Sequence, residues 1–133
     1  MRLTQASRYA IRALVLIGAR ENNGFMTSEH IAGVASISEM FLLKALKPLV
    51  SAGILRSLKG PGGGYKMARP PKDVTLLQVV EAVDGPIRGE LTFQQGVKPG
   101  ELDRRLQTVC NEVADRYRNQ LQKVRLTELI KNR

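Results

Sequence analysis

The run SLKGPGGGYKMAR at residues 57–69 limits this chain more than any other stretch, because four glycines and a proline occupy positions 60–64 between basic residues. A phosphate-binding P-loop needs Gly-Lys-Ser/Thr five positions after its first glycine, at the start of a helix, and Tyr65 stands there. The dinucleotide fingerprint fails as well, at Tyr65 when counted from Gly60 and at Met67 when counted from Gly62, and Pro70 and Pro71 bar the helix it requires. The flanks, Ile54–Lys59 and Tyr65–Arg69, roughly alternate apolar and polar residues, which predicts two short strands joined by a glycine tip. Arg56, Lys59, Lys66 and Arg69 lie along those strands, so the hairpin carries positive charge.

That charge extends beyond the hairpin. The chain has 21 Lys and Arg against 12 Asp and Glu, a formal +9 over 133 residues. Between Met40 and Lys72 stand Lys44, Lys47, Arg56, Lys59, Lys66, Arg69 and Lys72 with no acidic residue, so this quarter of the chain carries +7 of the total. A cationic surface of this kind concentrates polyanions, chiefly nucleic acid or an anionic membrane. No apolar run reaches the length of a membrane span, and the continuous large-apolar run Leu14–Ile17 is too short for a secretory signal. The charge is also divided between a helix and a hairpin, unlike a membrane-surface helix. Aromatic content of 5% offers no stacking platform for single-stranded RNA, so duplex DNA is the expected partner. One histidine, His30, and one cysteine, Cys110, complete no catalytic constellation and no disulfide, and the expectation is a cytoplasmic protein that is not an enzyme and holds no metal. His30 alone is expected to be a surface or capping residue.

The remaining periodicity is helical. Tyr9, Ala10, Ala13, Leu14 and Ile17 predict a helix from Thr4 to about Arg20, stopped by Asn22, Asn23 and Gly24. Thr27 or Ser28 caps a second helix to about Val34. Ser36-Ile37-Ser38-Glu39 has the spacing of a capping box for a third, which Gly53 ends and Pro48 is expected to bend or finish early. Two short helices, a turn and a basic hairpin make a winged helix-turn-helix. On a helical wheel Ile37, Phe41, Ala45 and Leu49 form the buried stripe, bordered by Leu42 and Leu46. Ser36, Glu39, Met40, Leu43, Lys44, Lys47 and Ser51 face outward. Met40 and Leu43 suit contact with thymine methyls or sugars, or packing on a neighbouring subunit. The narrow glycine tip, Gly62 and Gly63 with the adjoining Tyr65, lets the wing lie close to a duplex.

From Glu101 to about Val124, Leu102, Leu106, Val109, Val113, Tyr117, Leu121 and Val124 recur at three- and four-residue steps, a stripe suited to pairing across a two-fold axis or to packing on the chain's own winged domain. The organisation read from the chain is a winged domain over 1–85, a polar loop over 86–100 and a dimerisation helix with a C-terminal segment over 101–133. The fold class is mainly α with a small β-hairpin wing.

Three segments, RLTQASRYAIRAL, FLLKALKPLVSAGILRSLKGPGGGYKMARP and VTLLQVVEAVDGP, occur in order over residues 1 to about 87, and LQKVRLTELI follows near the C-terminus. In these the chain resembles the Rrf-two family of bacterial transcription regulators. The resemblance implies a dimeric winged-helix DNA binder, with Ser38, Met40, Leu43 and Lys44 on the base-reading face, Arg56 at the base of the wing, and Arg8 and Tyr9 toward the phosphate backbone. Ser28, Lys47, Lys59, Gly62, Gly63 and Tyr65 complete the expected DNA-contacting set. Leu43 stands where some members carry an acidic residue, so an operator cannot be inherited from them. Cluster-binding members place three cysteines between the Asp-Gly motif and the long helix, whereas this chain has only Cys110, inside the helix. The expectation is therefore a homodimeric repressor at an inverted-repeat operator, without an iron-sulfur cluster, with Cys110 packed in the core, and with any small-molecule or protein effector acting at residues 86–100. The alternatives are a protein-interaction module and a Cys110 thiol redox sensor.

Overall fold

The computed structural model describes residues 2–20, 24–92 and 95–132; Asn22 and Asn23 of the expected helix breaker, and Phe93 and Gln94 of the expected effector loop, lie outside them. Helix α1 (Gln5–Gly18) starts at Thr4, whose hydroxyl accepts the Ser7 amide at 3.1 Å, and turns Ala10, Ala13, Leu14 and Ile17 into the core. Helix α2 (Ser28–Ala35) is capped by Thr27, which accepts the amide of the exposed His30. The Arg12 guanidinium donates to the Ala35 carbonyl, placing a cation at the negative end of α2.

Helix α3 (Glu39–Ser51) begins two residues later than the expected capping box. Ser38 is the cap, its hydroxyl accepting the Phe41 amide at 3.3 Å, while Ser36 is left-handed at φ 56° and closes α2 instead. A residue in that conformation ends one helix and turns the chain; it cannot also open the next. At the other end α3 runs through Pro48 to Ser51, contrary to the expected early finish. Pro48 lacks only the amide that would bond Lys44, and the helix closes normally past it, with Ala52, Gly53 and Ile54 amides donating to the carbonyls of Pro48, Val50 and Leu49 and Gly53 at φ 73°.

The wing is the antiparallel pair β1 (Leu55–Leu58) and β2 (Gly64–Met67), with Leu55 opposite Met67 and Arg56 opposite Lys66. The strand β2 is fixed from the side next to the tip, because Tyr65 exchanges both backbone hydrogen bonds with Met26, at 2.7 and 2.8 Å. Gly64, at φ 134°, passes so close to Met26 that a Cβ would overlap that residue's carbonyl, and a Cβ on Gly63 would overlap the carbonyl of Leu58. Both positions therefore require glycine, one for conformation and space and the other for space alone.

A single 3₁₀ turn at Pro71–Asp73 leads to α4 (Leu76–Asp84), where Thr75 and Gln78 form a reciprocal capping box. Asp84, at its end, accepts from the Thr4 hydroxyl at 2.7 Å and from the fully buried Ser7 hydroxyl at 2.6 Å, tying α4 to the start of α1. The 22-residue α5 (Glu101–Gln122) packs its last turns on α4, where Leu121 and Tyr117 meet Leu77 and Val80. The short α6 (Leu126–Lys131) then returns to the winged domain: Leu126 is buried in the main core with Leu14, Ile31, Leu42, Leu46, Leu49 and Val74. Residues 126–131 thus belong structurally with the first part of the chain.

Candidate nucleic-acid interface

The phase of α3 is set by Leu42, Ala45, Leu46 and Leu49, all buried, with Ile37 beside them. Phe41 is not part of that seam. It is 47% exposed, a correction to the expected stripe, and it joins Met40 at 61% and Leu43 at 40% on the outward face. The reason is angular: the seam centres on Leu42, Leu46 and Leu49, and Phe41 falls about 100° from Leu42. The Lys44 ammonium lies 5.8 Å from the Phe41 ring centre. Ser38, Lys44 and Lys47 are exposed on the same helix, as expected.

Ser28 also links the two helices. It is the first residue of α2, half-buried, and its hydroxyl donates to Glu39 at 2.8 Å, bridging the two helices of the helix-turn-helix. The carboxylate at the head of α3 is thereby engaged by a neighbour.

Alternation along the wing strands sends Leu55, Ser57, Tyr65 and Met67 to one side and Arg56, Leu58 and Lys66 to the other. Leu55 is buried, and Tyr65 and Met67 pack against the core. Arg56 and Lys66 are therefore directly opposed on the outer side. Like charges in such a pair destabilise a sheet. Lys66 also lies 4.8 Å from the ring centre of Phe25. Arg56, Lys59 and Gly62 are exposed as expected, whereas Gly63 is buried and Tyr65 is half-buried beside Met26. Arg8 is exposed at the start of α1, while Tyr9 packs on the core.

The long helix divides its stripe in two. Tyr117 and Leu121 are covered by the chain's own α4, which removes Leu121, at 7% exposure, from the expected dimer seam. Burial, and next the negative charge of Asp84, push the Tyr117 hydroxyl above the ordinary tyrosine pKa. Leu102 at 69%, Leu106 at 43%, Val109 at 54% and Val113 at 61% stay exposed. Cys110 is half-buried and belongs to neither apolar cluster, contrary to the expected core packing; it lines a cavity of about 430 Å³ with Ile87, Arg88, Val109, Val113, Ala114 and Tyr117. Gly89 crosses the helix backbone at Cys110 with no room for a side chain, and its carbonyl accepts from Gln107 at 2.7 Å.

A buried helix-turn-helix, an exposed face on its second helix and a flanking basic wing have the form of known DNA-binding regulators. The family Rrf2, described as "Iron-dependent Transcriptional regulator", matches residues 3–132. The chain is a member of the Rrf2 family. YwgB of Bacillus subtilis (strain 168) is 32% identical over 123 residues, covering 90% of this chain and 78% of that protein. The HTH-type transcriptional regulator IscR of Cereibacter sphaeroides is 29% identical over 138 residues, covering 99% of this chain and 88% of IscR. The structure of CymR, the global cysteine regulator of B. subtilis, superposes with a TM-score of 0.77 at 20% identity, over 100% of this chain and 98% of CymR, and shares its fold. As an Rrf2 protein the chain is a DNA-binding transcriptional regulator with a winged helix and a long C-terminal helix. Among the described residues no helix is long and apolar enough to cross a membrane.

The iron in the family's description can be tested against this chain's donors. Iron and its clusters take thiolate, imidazole or carboxylate ligands in groups. Here there is one cysteine and one histidine, and among the described residues no three of His, Cys, Asp and Glu are grouped to hold a metal. Those residues do not fit an iron site.

Proposed function

We propose that this Rrf2 regulator binds an inverted-repeat operator as a homodimer and represses transcription from it in the cytoplasm. The observation that carries the reading is the pairing of two exposed faces on one chain, α3 with its wing, and the Leu102–Val113 stretch of α5. The first is cationic and matches a duplex; the second is apolar and matches its own copy. A two-fold dimer would present two α3 helices to successive major grooves, about 34 Å apart, and its site would read as two inverted half-sites one helical turn apart. The family resemblance supports the DNA partner. Repression is the reading that needs least of the protein, since occupancy of a promoter suffices.

Control is proposed to proceed without an iron-sulfur cluster. Two copies of Cys110 supply two thiolates, fewer than the clusters' usual four. A small ligand or a protein partner acting where Pro86–Gly89 lies on α5 would then adjust DNA affinity. The deciding experiment is capture and sequencing of genomic DNA bound by the purified protein. Recovered fragments should share an inverted repeat overlapping promoters; fragments sharing only a single half-site, or no common sequence, would refute the dimeric reading.

A further inference from the structure

We propose that α3 identifies its operator mainly through the 5-methyl groups of thymine, with Met40, Phe41 and Leu43 as the contacting side chains. The proposal rests on the DNA-binding reading above and names the chemical feature that is read. Three large apolar side chains stand exposed within the first five residues of α3. The N-terminal turns of a recognition helix are the part that reaches base edges. Phe41 is held there by its amide's bond to Ser38, with the Lys44 ammonium near its ring.

The polar inventory of the same face is short. α3 contains no Arg, Asn or Gln, so the bidentate pairing of an amide with adenine and the guanidinium fork for guanine are both missing from it. Glu39, which could accept from cytosine, has one carboxylate oxygen engaged by Ser28. Beside the other Glu39 oxygen there remain the Ser38 hydroxyl and the Lys44 and Lys47 ammonium groups. In the major groove thymine is the one unmodified base that displays a methyl group, and apolar side chains pack against it.

A second copy of this chain would cover the same apolar residues, but the charge around them opposes that occupant. Residues 40–72 carry +7 and only Glu39, at the head of α3, adds a carboxylate beside them, so two such faces repel each other and both attract a polyanion.

The test uses the full chain and an operator recovered as above. Each thymine in one half-site, with its symmetry mate, is replaced in turn by deoxyuridine, which removes the methyl and leaves pairing and phosphates intact. Burying one methyl is worth about 0.8 kcal/mol, or about fourfold in affinity, so a symmetric pair at a contacted position should weaken binding about fifteenfold with an unchanged salt slope. Against Phe41→Ala, Met40→Ala or Leu43→Ala, whichever removes the partner of that methyl, the same replacement should cost less than twofold per site. If every uracil duplex binds within twofold of the parent while scrambled sequences bind weakly, DNA reading stands and the methyl proposal is overturned. If no duplex is bound selectively, the proposed operator binding falls as well. Dissociation of a DNA-free dimer by Phe41→Glu would identify a second copy as the occupant and also overturn the proposal.

Discussion

Two helices of this protein leave large apolar side chains in water, and their charge surroundings separate them. On α3, Met40, Phe41 and Leu43 stand beside Glu39, Lys44 and Lys47, at the start of residues 40–72, which carry seven cations and no anion. On α5, Leu102, Leu106, Val109 and Val113 stand among Glu101, Asp103, Glu112 and Asp115 and an equal number of arginines, Arg104, Arg105, Arg116 and Arg118. Those α5 charges partly satisfy one another, with Glu101 bonded to Arg104 at 3.2 Å and within 3.7 Å of Arg105. Apolar exposure alone therefore does not name a partner. A neutral frame permits a second protein surface to approach, and an uncompensated cationic frame selects a polyanion.

The contrast between the two helices is most open to breakage at α5. We predict that Leu106→Glu combined with Val113→Glu yields a monomer by light scattering and lowers operator affinity about 10²–10⁴-fold, the advantage of two linked reading heads over one. A variant that stays dimeric would move the interface elsewhere. At the wing the expected effect is smaller and of a different kind. Arg56→Ala with Lys59→Ala should leave the dimer intact and flatten the salt dependence by roughly 0.9 log unit per log unit of salt for each phosphate that is no longer neutralised. An unchanged slope would mean that the outer side of the hairpin does not touch DNA. The smallest expected change is at Cys110→Ala, for which we predict a colourless protein after anaerobic incubation with iron and sulfide and no change in operator affinity. Visible absorption with stoichiometric iron in the parent would overturn the cluster-free reading, and oxidant-sensitive binding that the variant loses would establish a thiol switch.

What the sequence discloses here follows how local each determinant is. The hairpin is legible because its tip glycines, Pro61 and the flanking strands are contiguous, and the concentration of charge needs only counting. The start of α3 is ambiguous in sequence because Ser36 and Ser38 are both good caps, and only the left-handed turn at Ser36 decides between them. The misplacement of Phe41 follows from the same uncertainty in phase, yet Leu42, Leu46 and Leu49 alone are enough to place the seam correctly. The α5 stripe is continuous in sequence, and its division depends on where α4 lies, which no local pattern records. The anchoring of Tyr65 by Met26 and of Ser7 by Asp84 joins residues far apart in the chain, the latter 77 positions apart, and periodicity carries no trace of either.

The crowding where β2 leaves the turn limits which changes the wing tolerates. At Gly63 and Gly64 nothing larger than hydrogen fits, so this end of the hairpin is fixed in sequence and in direction. At Gly60 and Gly62, a few residues away, the tip opens onto empty space. Length can therefore be added only at residues 60–62, beyond the clamped start of β2. An extra loop or additional lysines inserted at residues 60–62 would extend the reach of the wing while Gly64 and Tyr65 keep their contacts with Met26.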